Sequence, residues 1–305
     1  MSKPLDRLTL LETFVRIAEA GSISAAAREL GLSQPSASRQ LAELETRFNT
    51  QLVRRTTHNL SLTGAGADLL TDARRLLDDW ELMRERHVES GETLSGKLKI
   101  VAPVALGQLH LLAIAIKFQQ TYPLVSLSWQ LEDRDIRFAE VGCDCWVKVG
   151  PVPDQSLLSE PLGRAERIVV ASPQFLQANS RHATPRAIEK LPCVALEPFE
   201  GGQIPLSHER KRTLSISPSV RMNTNNIFVL REAAIAGLGF AVMPKWLIAS
   251  ELENGTLIDF IPEWRAPKLT IYAASLQARY RTHRLHNFIE LLKTEVLKIS
   301  GIDTI

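Results

Sequence analysis

A chain of 305 residues has room for two or three compact units, and a formal net charge of +2 does not announce a nucleic-acid binder, so any DNA affinity must come from where the charges sit. Lys3, Asp6, Arg7 and Glu12 interrupt the N-terminus before a signal peptide's apolar region can form. The longest uncharged run near mid-chain, Ile100–Ile116, falls short of the ~20 residues of a membrane helix, and three cysteines, two of them one residue apart, make no disulfide framework; a cytoplasmic protein without membrane contact is expected.

Apolar residues recur at helical spacing from Leu8 to Ala20, at Leu11, Phe14, Val15 and Ala18, and Gly21 ends this first helix. Residues 23–42, ISAAARELGLSQPSASRQLA, then predict two short helices joined by a tight turn. Ser24 is a candidate cap for the first, Gly31 supplies the left-handed residue that stops it, and Leu32 plugs the corner. Ser33 caps the second, Pro35 lies in its first turn where a missing N–H costs nothing, and Ala37, Leu41 and Leu44 form its inner face. The other face is left to Gln34, Ser36, Ser38, Arg39 and Gln40, groups suited to reading base edges or gripping phosphates from a helix laid in a major groove; an ordinary helical hairpin with a polar outer face fits the same twenty residues. After Phe48, LVRRTTHNLSLT predicts a short two-stranded wing carrying Arg54, Arg55, Thr56, Thr57 and His58, and two adjacent arginines flanked by hydroxyls suit phosphates or a minor groove.

These stretches, FVRIAEAGSISAAARELGLSQPSASRQLAELE followed by LVRR and LTGAG, resemble the winged helix-turn-helix domain of LysR-type transcriptional regulators over residues 6–63. The departures are mild: Ala37 replaces a larger apolar residue, Val53 the usual Phe, and Asn49 stands where Gly is common. The resemblance implies that Ser33, Gln34, Pro35, Ser36, Ser38 and Arg39, with Arg54, Arg55, Thr56 and Thr57, contact double-stranded promoter DNA.

Thr63 to about Glu89 reads as one long helix, capped at Thr63, with Leu69, Ala73, Leu76, Trp80 and Met83 along one stripe and Leu70 and Leu77 beside it. The stripe has to be buried, either on its own chain or on another. The family resemblance implies the matching helix of a second subunit across residues 64–90, homodimers paired into homotetramers, and RNA polymerase as a further partner of an activator. GETLSG, residues 91–96, reads as a hinge.

From Lys97 the texture changes to short β runs alternating with helices: LKIVA, a helix from about Gly107 to Gln120, VSLSWQL, a helix around Asp135–Val141, CWVKV and IVVAS. A second set comprises CVAL at 193–196, SVRM, a helix from Asn225 to Ala236, FAVM, a helix with Pro244 near its start and Gly255 past its end, a strand from Lys268 to Ala274 and a last helix from His283 to Ile299. The fold class expected is α+β multidomain: a winged helix-turn-helix, a linker helix, and an α/β effector-binding module over 97–305. The resemblance arranges that module as in periplasmic binding proteins, one subdomain from about 97–165 with 268–305 and the other from about 166–267.

In such modules ligands collect beyond the carboxyl ends of strands and at helix N-termini, where free N–H groups favour anions. Pro103, Val104 and Ala105 follow the first strand, Lys148, Val149 and Gly150 end another, and Asn223, Thr224 and Asn225 precede a helix of the second half; by resemblance they match segments lining the family's effector site. Lys148, or Arg134, could pair with a carboxylate, giving a weak preference for a small anion, although Lys148 equally suits a solvated strand end. Cys143 and Cys145, read as alternating in one strand, and Cys193 suit buried apolar packing; the alternative trigger is thiol redox sensing through Cys145. No dinucleotide, Walker, zincin or nucleophile-elbow motif is present and the seven histidines are scattered, so no catalytic residue, metal or cofactor is expected. The rival from another class is a small-molecule-binding or enzymatic α/β protein whose N-terminal helices only dimerise it.

Overall fold

The computed structural model describes residues 6–55, 60–87, 94–179, 184–197, 202–208, 211–276 and 281–305. Several helices begin or end where the chain supplies a cap. Helix α1 (Arg7–Ala20) stops at Gly21, whose φ of 60° is left-handed. Helix α2 (Ile23–Glu29) starts before the expected cap: Ser22, not Ser24, accepts from the Ala25 N–H, because Ser22 alone has the extended backbone a cap requires. Helix α3 (Gln34–Phe48) opens on Ser33, whose hydroxyl accepts from the Ser36 N–H at 3.3 Å, and ends at Asn49 with φ 47°, a left-handed turn made without glycine.

These three helices enclose Leu10, Phe14, Ile17, Ala26, Ala37 and Leu41, all fully buried. Gln40 joins them, in contrast to its expected place on the outer face: it is 7% exposed, and its Oε1 accepts a 2.5 Å hydrogen bond from Thr13 Oγ1 of α1. Strands β1 (Val53–Arg55) and β2 (Leu60–Leu62) pair antiparallel with Val53 opposite Leu62. The Glu45 carboxylate ties this hairpin to α3 by accepting from the Leu52 and Val53 N–H groups at 2.8 and 3.2 Å. Thr63 caps helix α4 (Gly64–His87), accepting from Gly66 at 3.0 Å while donating to Gln51 O. At Gly66 a side chain's Cβ would stand 2.0 Å from Leu52 O, so only glycine lets the helix start this close to the hairpin. The first half of the expected hinge, residues 91–93, lies outside the described residues.

Two compact units result, one comprising the residues through Thr93 with Ile136–Cys143 and Ala278–His283, the other Leu94–Asp135, Asp144–Gln277 and Arg284–Ile305. The second begins with β3 (Gly96–Ala102), whose Ile100 and Ala102 are buried. It continues through α5 (Val104–Leu106), a π turn at Gly107–Leu111 and α6 (Leu112–Thr121), which run on as one helix, then β4 (Val125–Leu131). Helix α7 (Phe138–Val141) is shorter than expected and groups with the first unit. Strand β5 (Cys145–Val149) excludes Cys143, which precedes it, so the two thiols are not alternating partners of one strand. Strand β6 (Leu157–Ala171) reaches well beyond the expected IVVAS.

Next come α8 (Pro173–Asn179), α9 (Pro185–Ile188), β7 (Pro192–Leu196), an antiparallel hairpin of β8 (Ile204–His208) and β9 (Lys211–Ile216) that sequence periodicity did not suggest, β10 (Ser219–Thr224) and α10 (Ile227–Ile235). After β11 (Ala241–Pro244) the helix expected at Pro244 is a 3-10 turn, Lys245–Leu247, followed by α11 (Ala249–Glu253). Strands β12 (Ile258–Asp259) and β13 (Ala266–Leu276), helix α12 (His283–Val296) and β14 (Ile302–Asp303) complete the chain. The main sheet runs β11-β6-β13-β5-β3-β4, with β12 and β14 also on β6, while β10 and β7 form a parallel pair bridged to β11's approach through Cys193 and Phe240. The sheet therefore takes the late strand β13 between β5 and β6, and α12 packs Phe288 edge-on against Phe118 of α6 at 5.2 Å.

Candidate nucleic-acid interface and effector site

Because Ala37, Gln40, Leu41 and Leu44 take the inner side of α3, the residues between them point away from the core. Ser33, Gln34, Pro35 and Arg39 are exposed; Ser36 and Ser38 are half-buried. Ser33 Oγ donates to Ser36 Oγ at 2.9 Å, and Arg39 Nη2 reaches the same hydroxyl at 3.5 Å, so the three form a row along one side of the helix. Among the described residues no acid pairs with Arg39, which leaves its planar fork for another acceptor. Arg54 is exposed on β1, Arg55 ends that strand opposite Leu60, and Thr56, Thr57 and His58 lie outside the described residues. Thr13, Gln40 and Glu45, which fix α3 and the hairpin, escaped sequence reasoning; the i, i+3, i+4, i+7 spacing of 37, 40, 41 and 44 was the available signal for Gln40.

The stripe on α4 divides. Leu70 and Ala73 are buried, Leu69 and Leu77 pack against them, and the C-terminal part leaves Leu76, Trp80 and Met83 48%, 43% and 42% exposed.

In the second unit β3, β4 and β5 are parallel, so their carboxyl ends share one edge. There the structure brings together Pro103–Ala105, Arg134 and Lys148–Gly150, with the Glu132 N–H on Ala102 O at 2.9 Å. The free groups expected to attract an anion are already engaged: Val104 N–H donates to Asp133 Oδ1 at 2.9 Å, and the Lys148 ammonium is ion-paired with Asp135. Arg134 is exposed. Gly150, at φ 88°, is buried and donates to Thr270 O at 2.8 Å. Asn223, Thr224 and Asn225 lie at the end of the separate β7–β10 pair, where Asn223 Nδ2 donates to Glu197 Oε1 at 2.7 Å. Helix α10 begins two residues later than expected and is capped by Asn226, whose Oδ1 accepts from Phe228 and Val229. All three cysteines are buried, and burial pushes the Cys193 thiol up to about 11, far from a reactive thiolate. Among the described residues no helix is long and apolar enough to cross a membrane, and no cluster of metal-ligating side chains occurs.

A recognition helix with a paired hairpin, ahead of a mixed α/β unit, defines a DNA-binding regulator that carries a ligand-binding module. Residues 8–67 match the bacterial regulatory helix-turn-helix protein, lysR family, and residues 91–297 match the LysR substrate binding domain. The chain belongs to the LysR family of transcriptional regulators, and is not an enzyme. It is 30% identical over 300 residues to the HTH-type transcriptional regulator PtxR of Pseudomonas aeruginosa, covering 96% of each chain. It is 28% identical to CrgA of Neisseria meningitidis serogroup C, another HTH-type transcriptional regulator, over 94% of this chain and 96% of that one. The structure of a full-length variant of OxyR from Pseudomonas aeruginosa shares the fold with a TM-score of 0.71 at 18% identity, covering 98% of this chain and 97% of that one.

Proposed function

We propose that the protein binds promoter DNA as a homodimer or homotetramer, reading bases through Gln34, Ser36, Ser38 and Arg39 and holding the backbone or minor groove through Arg54, Arg55 and Thr56, with a small effector in the α/β module setting the transcriptional output. The observation that carries the reading is the division of α3: its apolar side is sealed and its outer side presents Arg39, with which no acid pairs among the described residues. The 305-residue chain's modest net charge suits this arrangement, since sequence-reading contacts need a few placed groups rather than a strongly basic surface. The second copy would cover Leu76, Trp80 and Met83, and RNA polymerase would be the further partner if the output is activation.

The test is a binding titration at fixed salt on the DNA upstream of the protein's own gene. Arg39→Ala should cost about 1 to 3 kcal/mol of discrimination and relax preference at one base step if the fork grips a guanine. Unchanged affinity and unchanged base preference would remove Arg39 from the interface.

A further inference from the structure

Several cations of the second unit stand against acids: Lys148 against Asp135, Arg231 against Glu232 and Glu251, Lys245 against Glu166, and Arg265 against Glu166 and Asp259. Arg167 does not. It is half-buried, and among the described residues its one side-chain hydrogen bond runs from Nε to Pro267 O at 2.7 Å and no carboxylate pairs with it. Burial alone pulls this guanidinium below its ordinary pKa, with no acid offsetting the shift.

The position is set by the sheet. Arg167 lies in β6 between Pro244 of β11 and Ala266 of β13, on the face it shares with Val169 and Ala171 and opposite Ile168 and Val170. It is also where β6 changes neighbours on both flanks: β14 pairs at 164–165 before β11 takes over from 167, and β13 pairs as far as 167 before β12 takes over at 170. The ladder with β13 breaks register between Ala266 and Leu269, which frees the Pro267 carbonyl that Arg167 Nε then engages. Nε is thereby fixed, while the Nη1 and Nη2 groups, four N–H donors, have no acceptor among the described residues. A desolvated charge left in that state costs stability, and a planar fork held by its inner nitrogen is preset for a two-oxygen anion.

We propose that Arg167 is an anion-binding residue of the effector module, its terminal N–H groups gripping the oxyanion of a small ligand: a carboxylate, phosphate or sulfate. This rests on the reading that the module takes a small effector. It also moves the anion away from the edge formed by β3, β4 and β5. An anion at Val104 or Lys148 would have to expel Asp133 or Asp135, whereas Arg167 holds no carboxylate to expel among the described residues.

The experiment titrates the purified full-length protein with inorganic phosphate, sodium sulfate and sodium acetate against sodium chloride at matched ionic strength, by calorimetry and thermal shift. Arg167→Gln keeps an N–H donor at the Nε position for Pro267 O but removes the charged fork; Arg167→Lys keeps the charge without the fork. Arg164→Gln, at an exposed residue of the same strand, is the control. At least one oxyanion should bind saturably, both Arg167 variants should weaken it about tenfold or more, and Arg164→Gln should leave it unchanged. The three salts separate carboxylate from phosphate and sulfate. Undiminished binding in Arg167→Gln, or no oxyanion saturating beyond chloride, overturns the proposal; should Arg167→Gln lose its circular dichroism, Arg167→Lys decides. A gel shift of the wild type on its upstream DNA accompanies the titration: a failed shift overturns binding to that DNA and leaves the anion result standing, and failed oxyanion binding with an intact shift brings down Arg167 alone.

Discussion

A polar side chain inside a small helical core has to find a partner, and Gln40 finds Thr13. The two are 7% and 1% exposed and joined at 2.5 Å, so removing one leaves the other's polar atom without an acceptor or donor. Thr13→Val keeps the shape and deletes the donor; it should destabilise the packing of α1 on α3 by about 1 to 3 kcal/mol, and adding Gln40→Leu should recover much of that loss by removing the stranded carbonyl oxygen. Hydrogen exchange of the amides in residues 10–17 and 37–44 measures it. Equal protection in Thr13→Val and the wild type would show that the bond contributes nothing. The pair also explains an error in sequence reading. Gln40 looks like a surface residue by chemistry, yet its spacing from Ala37, Leu41 and Leu44 is that of the buried face, and spacing decided. Sequence chemistry offers Ser24 as the cap of α2, but the left-handed Gly21 sets the backbone that follows and places the cap at Ser22.

At the level of elements, the helices and the hairpin of residues 7–87 were legible because each is punctuated locally, by Gly21, Gly31, Ser33, Pro35 and Thr63. The β8–β9 hairpin was not: Pro205 interrupts a run whose Ile204 and Leu206 alternate correctly, and a proline inside a short run argues against a strand until an edge is known to accommodate it. The engagement of Lys148 by Asp135 and of Val104 by Asp133 was equally hidden, since carboxylates 13 and 29 residues away along the chain meet these groups only after β3, β4 and β5 have paired. Helix α4 shows what periodicity can and cannot say. Its apolar stripe was evident, but only the fold reveals that Leu70 and Ala73 are consumed within the chain while Leu76, Trp80 and Met83, at i, i+4 and i+7, stay uncovered. If a second copy covers them, Trp80→Glu with Met83→Glu should shift the sedimentation coefficient to that of a smaller species while helix content is retained. A double variant that sediments as the wild type would assign that stripe elsewhere.

For the whole molecule, stability follows pH wherever folding holds a group in one protonation state, and His110 is such a group. It sits on the π turn that joins α5 to α6, edge-on to the Trp246 ring at 5.6 Å, with Nε2 buried and unpartnered among the described residues. Burial lowers its pKa from the ordinary 6.5, and the hydrogen bond to the Trp246 main chain offsets this only in part. Above that ordinary value the ring is neutral both folded and unfolded, so the group has no effect on the pH dependence. As pH falls through 6.5 the unfolded chain takes up the proton first, and stability drops until pH also passes below the folded-state pKa, where the loss levels off. His110→Gln removes this titration while leaving the remaining six histidines and all carboxylates in place. Between about pH 8 and about pH 5 the melting temperature of the wild type should therefore fall more steeply than that of the variant, the two curves diverging only on the acid side of the range. Curves that stay parallel throughout would mean the folded protein accepts the proton at His110 as readily as the unfolded chain does, and that the π turn opens locally to let water reach the ring.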